Sequence, residues 1–346
     1  MINKLLLNLY HKTRVLDISD TDKIIIFSDL HMGNRKRQDD FRKNAQMFSK
    51  ILKEYYFERG YTLILNGDIE ELLKFSLRKI TKKWPQVFNL YKKFADRGRF
   101  YKIWGNHDFE LPYKHDYMFK EQLYEALRLR YKGNLLFLFH GHQASNLVEK
   151  YNNISSLVLR YIAKPIGLKN ASTAYNSKRK YSVEKRIYEF STRNRIVSII
   201  GHTHRPMFES LSKEDTLKYQ IEQLVRDYPT AEDKDRIKYE IDELKKDLQK
   251  VAAQNAKERT SLYNSTIVIP CLFNSGTVIG KRGITALEIL DGEMQLVYWY
   301  NRNKRQRRIK LYEEGPFHLP DTHLNKIILK KDRLDYIFTK MQLLAG

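Results

Sequence analysis

Residues 23–68, KIIIFSDLHMGNRKRQDDFRKNAQMFSKILKEYYFERGYTLILNGD, contain two short apolar runs separated by a helical stretch, and each run ends in side chains able to hold a metal. Within the stretch, Phe41, Ala45, Phe48, Ile51, Leu52 and Tyr55 recur at helical spacing, and Gly60 stands where a helix stop is expected. Strand, helix and strand in this order predict a βαβ crossover.

The pattern continues along the chain. Apolar runs end in SDLH at 28–31, NGD at 66–68, GNHD at 105–108, HGH at 140–142 and GHTH at 201–204. Several of these runs, such as NLLFLFHG and RIVSIIGHT, are continuous rather than alternating, as in strands buried on both faces. Six of the ten histidines fall inside the five clusters, whereas His11, His115, His318 and His323 lie outside them. Five strand ends carrying the same kinds of side chain predict that the strands deliver ligands to one place. After the fifth cluster, STIVIPCLFNSGTVIG, ITALEIL and EMQLVYWY are β-rich and predict an extension of the sheet or a second one, so the fold class is a layered α/β sandwich.

At 346 residues the chain fits one domain, residues 1–346, with insertions. Lysine and arginine outnumber aspartate and glutamate 63 to 41, a net charge of +22, which favours phosphates, nucleic acid or anionic lipid as partners. The single cysteine, Cys271, excludes an internal disulfide framework and fits a reducing, cytoplasmic compartment. No stretch approaches the roughly 18 consecutive apolar residues that span a bilayer. The start, MINKLLLNLYHK, is amphipathic and would permit peripheral attachment to a membrane.

Two insertions interrupt the plan. Residues 144–195 carry 11 basic and three acidic residues and begin and end beside a cluster, so a basic helical lid over the active centre is expected. Residues 209–264 carry 11 basic and 13 acidic residues. Ser212 with Asp215, and Thr230 with Asp233, have capping-box spacing, and Ile237, Ile241, Leu244, Leu248 and Val251 form a heptad-like seam. A helical hairpin is expected there, folded on itself or used for oligomerisation. The run NRNKRQRRIK at 301–310 holds six basic residues and reads either as a nucleic-acid or lipid contact or as a guarded strand edge.

The clusters contain enough ligands for two cations. Asp29 and His31, two apart at a strand tip, are expected to point the same way because the strand repeat is two. Asp68 is a short carboxylate able to bridge, Asn106 offers a carbonyl oxygen, and His140, His202 and His204 complete two shells.

DxH at 29–31, GDxxE at 67–71, GNHD at 105–108, a histidine followed by glycine at 140–141 and GHTH at 201–204 together resemble the calcineurin-like metallophosphoesterases. The resemblance runs from about Ile24 to Pro206, and NSG at 274–276 with the strands after it is similar to the end of that fold. It implies an αββα sandwich holding two divalent ions, manganese first, with iron, zinc or cobalt as alternatives. It implies Asp29, His31, Asp68 and His204 around the first ion, and Asp68, Asn106, His140 and His202 around the second. It further implies attack on phosphorus by a hydroxide bridging the ions. His107 would then stabilise the transition state or protonate the leaving group, Asp108 would orient the His107 ring, and Glu71 would orient ligands from behind. His142 is placed as a bystander or a contact to substrate phosphate.

The order of the pieces also resembles the UDP-2,3-diacylglucosamine pyrophosphatases, which cleave a lipid-linked nucleotide sugar at a membrane surface under a helical lid. His107 stands where that branch commonly has arginine, and the 209–264 hairpin is a second departure. The expected function is therefore a two-metal phosphohydrolase acting on an anionic phosphoester or pyrophosphate, on a nucleotide- or lipid-linked diphosphate. The alternatives are a nuclease or nucleic-acid phosphodiesterase and, third, a scaffold without activity.

Overall fold

The computed structural model describes residues 2–145, 177–209, 217, 221, 224–225, 228–231, 233–258, 269–304 and 312–345. The elements run α1 (Ile2–Lys12), β1 (Val15–Ile18), β2 (Ile24–Phe27), α2 (Ala45–Ile51), β3 (Thr62–Asn66), α3 (Leu77–Lys83), α4 (Pro85–Asp96), β4 (Phe100–Ile103), β5 (Leu123–Tyr124), β6 (Ala126–Tyr131) and β7 (Asn134–Phe139). They continue through α5 (Ser177–Asn194), β8 (Val197–Ile200), α6 (Lys234–Glu258), β9 (Leu272–Asn274), β10 (Gly283–Leu290), β11 (Glu293–Asn301), β12 (Glu314–His318), β13 (Leu324–Arg333) and α7 (Leu334–Leu344).

Two sheets form. One has the order β1-β6-β7-β8-β9 and the other β12-β13-β11-β10-β2-β3-β4-β5. The expected crossovers are present, because β2, β3 and β4 pair in parallel, with Ile24 opposite Thr62 and Leu63 opposite Phe100. In the other sheet β7, β8 and β9 are also parallel. Of the late β-rich segments, β9 joins the smaller sheet, while β10 extends the larger one antiparallel to β2 and β11 follows antiparallel to β10.

Strand alternation splits the apolar residues between two cores. Ile24, Ile26, Ile64, Leu287 and Ile289 pack with β6, β7 and β8 in the core between the sheets, whereas Ile25, Phe27, Leu63, Leu65 and Trp299 pack with α2 and α4 on the other face. The larger sheet is thus buried on both faces, which explains its continuous apolar runs.

Several details differ from expectation. The helix after β2 is not uniform: a 3-10 turn at Asp40–Lys43, capped by Asp39, precedes α2, and a π-helical turn, Leu52–Phe57, follows it. The wider π turn rotates the buried face, so Tyr56 and Phe57 are buried while Tyr55 is only partly covered, with the Arg59 guanidinium 3.9 Å above its ring. Tyr56 uses its burial to donate to Glu288 Oε1 at 2.6 Å, and Lys326 Nζ lies 3.0 Å from Glu288 Oε2 in the same buried network.

The amphipathic start forms α1 and packs on the protein's own core. Leu6 is fully buried, Tyr10 packs edge-on against Phe137 of the smaller sheet, and Ile2, Leu5, Leu7 and Leu9 pack against the same core. No helix among the described residues is long and apolar enough to cross a membrane. Of the expected lid at 144–195, residues 146–176 lie outside the described residues. Its last third is α5, which buries Val183, Ile187 and Phe190 against the smaller sheet, Phe190 beside Phe137, and so belongs to the sandwich. Arg186 donates to the Ala144 carbonyl at 3.1 Å, tying the two ends of the excursion together.

Within 209–264, most of the expected first arm lies outside the described residues, Ser212 and Asp215 included. In the second arm Asp233, not Thr230, caps the helix, accepting from the Arg236 N–H at 2.9 Å. Thr230 instead closes a 3-10 turn. The seam of α6 is its covered face, with Ile241 and Leu244 buried. Of the basic run at 301–310, residues 305–310 lie outside the described residues.

The Glu288–Lys326 pair provides a stability test. Lys326→Met leaves the Glu288 carboxylate buried without its cation and is expected to cost about 3–5 kcal/mol in urea unfolding, whereas pairing it with Glu288→Leu should recover most of the loss.

Candidate metal centre

The parallel pairings bring the C-terminal ends of β2, β3 and β4 to the same edge of one sheet, and those of β7 and β8 to an edge of the other. The two edges meet through hydrogen bonds between sheets. Asn66 Nδ2 donates to the Phe139 carbonyl at 3.2 Å, and the His202 N–H donates to Asp29 Oδ2 at 3.0 Å. Within the larger sheet the Asp29 N–H donates to Gly67, and the N–H groups of Leu30 and His31 share the Asp68 carbonyl.

The expected convergence of Asp29 with His31 is present, but the pleat does not cause it. Strand β2 ends at Phe27, and both residues lie in the loop beyond, in left-handed backbone with φ of 55° and 48°. Asp68, His202 and His204 share that conformation, at 54°, 63° and 56°. Aspartate and histidine adopt it more readily than most residues, at about 1–2 kcal/mol each. Five strained residues at one spot are the mark of a functional site held by the surrounding structure.

The motif glycines supply the space. A Cβ on Gly67 would overlap the His140 ring, and one on Gly105 would overlap the Asp68 carboxylate and approach its backbone nitrogen to 2.6 Å. Gly67 also has a φ of +84°.

Among the described residues, three groups could each hold an ion, their ligand atoms lying within 4.8 Å of one another: Asp29, His31 and His204; His31, Asp68 and His107; and Asp68, His140 and His202. Asp68 belongs to two of the three. His204 Nε2 is 3.0 Å from Asp29 Oδ1, and His140 Nε2 is 3.1 Å from Asp68 Oδ2 and 4.0 Å from Asp29 Oδ1. The donor set fits a divalent transition metal, with imidazoles and carboxylates arranged around a common carboxylate. Among the described residues Asn106 Oδ1 and both ring nitrogens of His202 are buried and make no hydrogen bond, and Asp29 Oδ1 and His140 Nε2 have only the imidazole–carboxylate contacts of the cluster itself, a cost that coordination would remove.

The outward ring nitrogens are held from behind. His140 Nδ1 lies 2.8 Å from the Asn66 carbonyl, and His31 Nδ1 lies 3.2 Å from Glu71 Oε2, so each Nε2 faces the cluster. Glu71 Oε1 is also 2.9 Å from His107 Nδ1, and Lys74 Nζ is 3.3 Å from Glu71 Oε2.

This geometry corrects one expectation. Asp108 does not orient the His107 ring. Its carboxylate accepts the Ile69 N–H at 2.8 Å and the Gly105 N–H, bracing the two ligand loops against each other, and Glu71 holds the ring instead. His107, expected outside the ligand set, has Nε2 3.9 Å from Asp68 Oδ2 and so lies within reach of a cation. His142 flanks the cluster, its ring centroid 5.6 Å from that of His140 and 5.3 Å from that of Trp104.

Electrostatics divide the side chains. Burial pushes the Asp68 carboxyl up, but His140 and His107 outweigh it and hold the group well below the carboxylate range. Asp29 is likewise lowered against burial, chiefly by His204. Burial pulls His140 and His107 down, yet facing Asp68 they are pushed up to about 9. Burial and the His140 charge push His202 down to about 3, leaving the ring neutral with one nitrogen lone pair free. Burial raises Asp108 to about 6 against the pull of Lys102.

Three supports carried little sequence signal. Asn274, in the NSG motif, donates to the Gly201 carbonyl at 3.0 Å and to Thr203 Oγ1 at 2.8 Å. Ser275 Oγ lies 2.8 Å from Ser28 Oγ. Glu184, buried on α5, accepts from Thr203 Oγ1 at 2.7 Å. Only the NSG motif is visible in the sequence, as a small polar turn after an apolar run.

Residues 22–208, more than half of the chain, match the family described as calcineurin-like phosphoesterase. No curated protein matches the chain in sequence. Among solved structures, the chain is similar to a single mutant of Vps29 from Entamoeba histolytica, at 12% identity and a TM-score of 0.34, over 81% of this chain and 93% of that one. It is also similar to a dimetal phosphatase from Danio rerio, at 9% identity and a TM-score of 0.36, over 80% of this chain and 95% of that one.

Two variants test the centre by metal content. Gly105→Ala should displace Asp68 and reduce bound manganese below that of the unmodified protein, with circular dichroism unchanged. Glu71→Gln, which weakens the hold on His31 and His107, should lower metal affinity about 10- to 100-fold.

Proposed function

The chain belongs to the calcineurin-like phosphoesterase family, and we propose that it is a two-metal phosphohydrolase. The observation that carries this reading is the set of buried donor atoms without hydrogen-bond partners, grouped around the shared carboxylate of Asp68. Asp29, His31, Asp68 and His204 would hold one divalent ion, manganese being the first candidate. Asp68, Asn106, His140 and His202 would hold the other. Bound there, two cations would offset the charge of a phosphoester and acidify a water for attack on phosphorus.

The remaining work falls to the chain. Its buried walls keep bulk water from the carboxylates and strengthen their interactions. His107, with Nδ1 occupied by Glu71, keeps Nε2 toward the cluster and can hand a proton from that atom to the leaving oxygen. Asp29 and Asp68 are held in place by backbone and imidazole groups, so the pocket needs no rearrangement when substrate arrives.

A nucleotide- or lipid-linked diphosphate is the substrate class favoured for this site. Cleavage of a nucleic-acid strand is the second reading, which the net charge of +22 favours.

Purified protein supplied with manganese is expected to hydrolyse bis(p-nitrophenyl) phosphate, and Asp68→Ala to abolish turnover. Absence of hydrolysis of any mono-, di- or pyrophosphate ester with manganese, iron, zinc or cobalt would overturn the reading. His107→Asn is expected to lower kcat about 10²- to 10⁴-fold for an alkyl ester. The loss should be smaller for a nitrophenyl ester, whose leaving oxygen departs without a proton.

A further inference from the structure

The GHTH motif continues into Arg205, a residue the metal-holding roles do not use. Its guanidinium is anchored at one edge: Nε donates to Glu184 Oε1 at 3.1 Å and Nη2 to Glu184 Oε2. Glu184 is fully buried on α5 and also accepts from Thr203, the residue between His202 and His204. The Arg205 side chain is 40% exposed, and no described residue accepts from its Nη1. A guanidinium fixed at one edge and open at the other is preorganised for an oxygen anion.

Lys180 lies one helical turn before Glu184 and so shares its face of α5. It is half-buried and makes no hydrogen bond or ion pair with any described residue. Burial lowers its ammonium against the pull of Glu184, the carboxylate that anchors Arg205. Two cations and one carboxylate leave a net positive charge at this point.

We propose that Lys180 and Arg205 form an anion subsite beside the Asp29–His31–His204 group, and that it binds the second phosphoryl group of a diphosphate substrate. This inference rests on the phosphohydrolase reading and narrows its substrate. The first phosphoryl group lies at the metal cluster, and the second meets the open edge of Arg205, adjacent to His204 in the chain, with the Lys180 ammonium beside it. A nucleic-acid strand fits the arrangement less well. Strand binding uses cations spread along a groove with aromatic platforms for the bases, whereas here the two cations are close together, Arg205 on the buried Glu184 carboxylate and Lys180 one turn away on the same helix face.

Calorimetric titration of the full-length, manganese-supplied protein with adenosine monophosphate and with α,β-methylene adenosine diphosphate, which resists hydrolysis, tests the subsite by binding alone. The diphosphate is expected to bind about tenfold or more tightly than the monophosphate. Lys180→Ala should remove most of that preference, and Lys180→Arg should keep it. Equal affinity for the two ligands, or a preference unchanged in Lys180→Ala, would overturn the subsite. So would a short single-stranded oligonucleotide that binds more tightly than the diphosphate and depends on Lys180. Equal affinity for the two ligands in an unsubstituted protein that hydrolyses bis(p-nitrophenyl) phosphate rejects the subsite alone. A Lys180-dependent preference in a protein that hydrolyses nothing rejects the phosphohydrolase reading and leaves the subsite standing.

Discussion

Two carboxylates, Asp29 and Asp68, are buried near each other where the two sheets meet, and much of the structure serves to make that tolerable. An isolated buried carboxylate is costly, and two repel. Here they are offset by histidines: His204 against Asp29, and His140 and His107 against Asp68, strongly enough to hold both groups ionised despite burial. The same charges push His140 and His107 up to about 9. A divalent cation would satisfy the same carboxylates without those protons, so the arrangement suits metal uptake.

The site is also where the sheets are joined. The bonds from Asn66 to Phe139 and from His202 to Asp29 cross between them. Left-handed backbone at five candidate ligands costs free energy that only a well-packed surround can offset. That surround is the core between the sheets, together with the bracing of Asp108, Asn274 and Glu184. Activity and stability are therefore coupled: loosening these braces would free the loops from strain and also misplace the ligands.

The sequence was informative to different degrees along the chain. The βαβ crossovers, the parallel strands and the set of residues brought to the centre were legible because continuous apolar runs and polar strand ends are local patterns. The part given to Asp108 was not, since its partners, the Ile69 and Gly105 N–H groups, come from two separate loops. Tyr55 packs against the core but is only partly covered, because a π turn changes the helical period, and composition does not announce such a turn. The amphipathic start read equally well as a membrane contact or a core helix, and only the apolar surface of the smaller sheet decides for the core.

What the sequence by itself determined is the chemistry available: which imidazoles, carboxylates and amide stand at strand ends, and in what order. Their convergence follows from strand direction, which the crossovers already imply. Which atom of each ring faces the cluster was decided by the tertiary structure alone, as was the support of His107 by Glu71 and the anchoring of Arg205 by Glu184 on the helix that precedes β8. The reason is physical. Ring orientation and hydrogen-bond partnership depend on groups far apart in the chain, and they exist only once packing has brought those groups within about 3 Å.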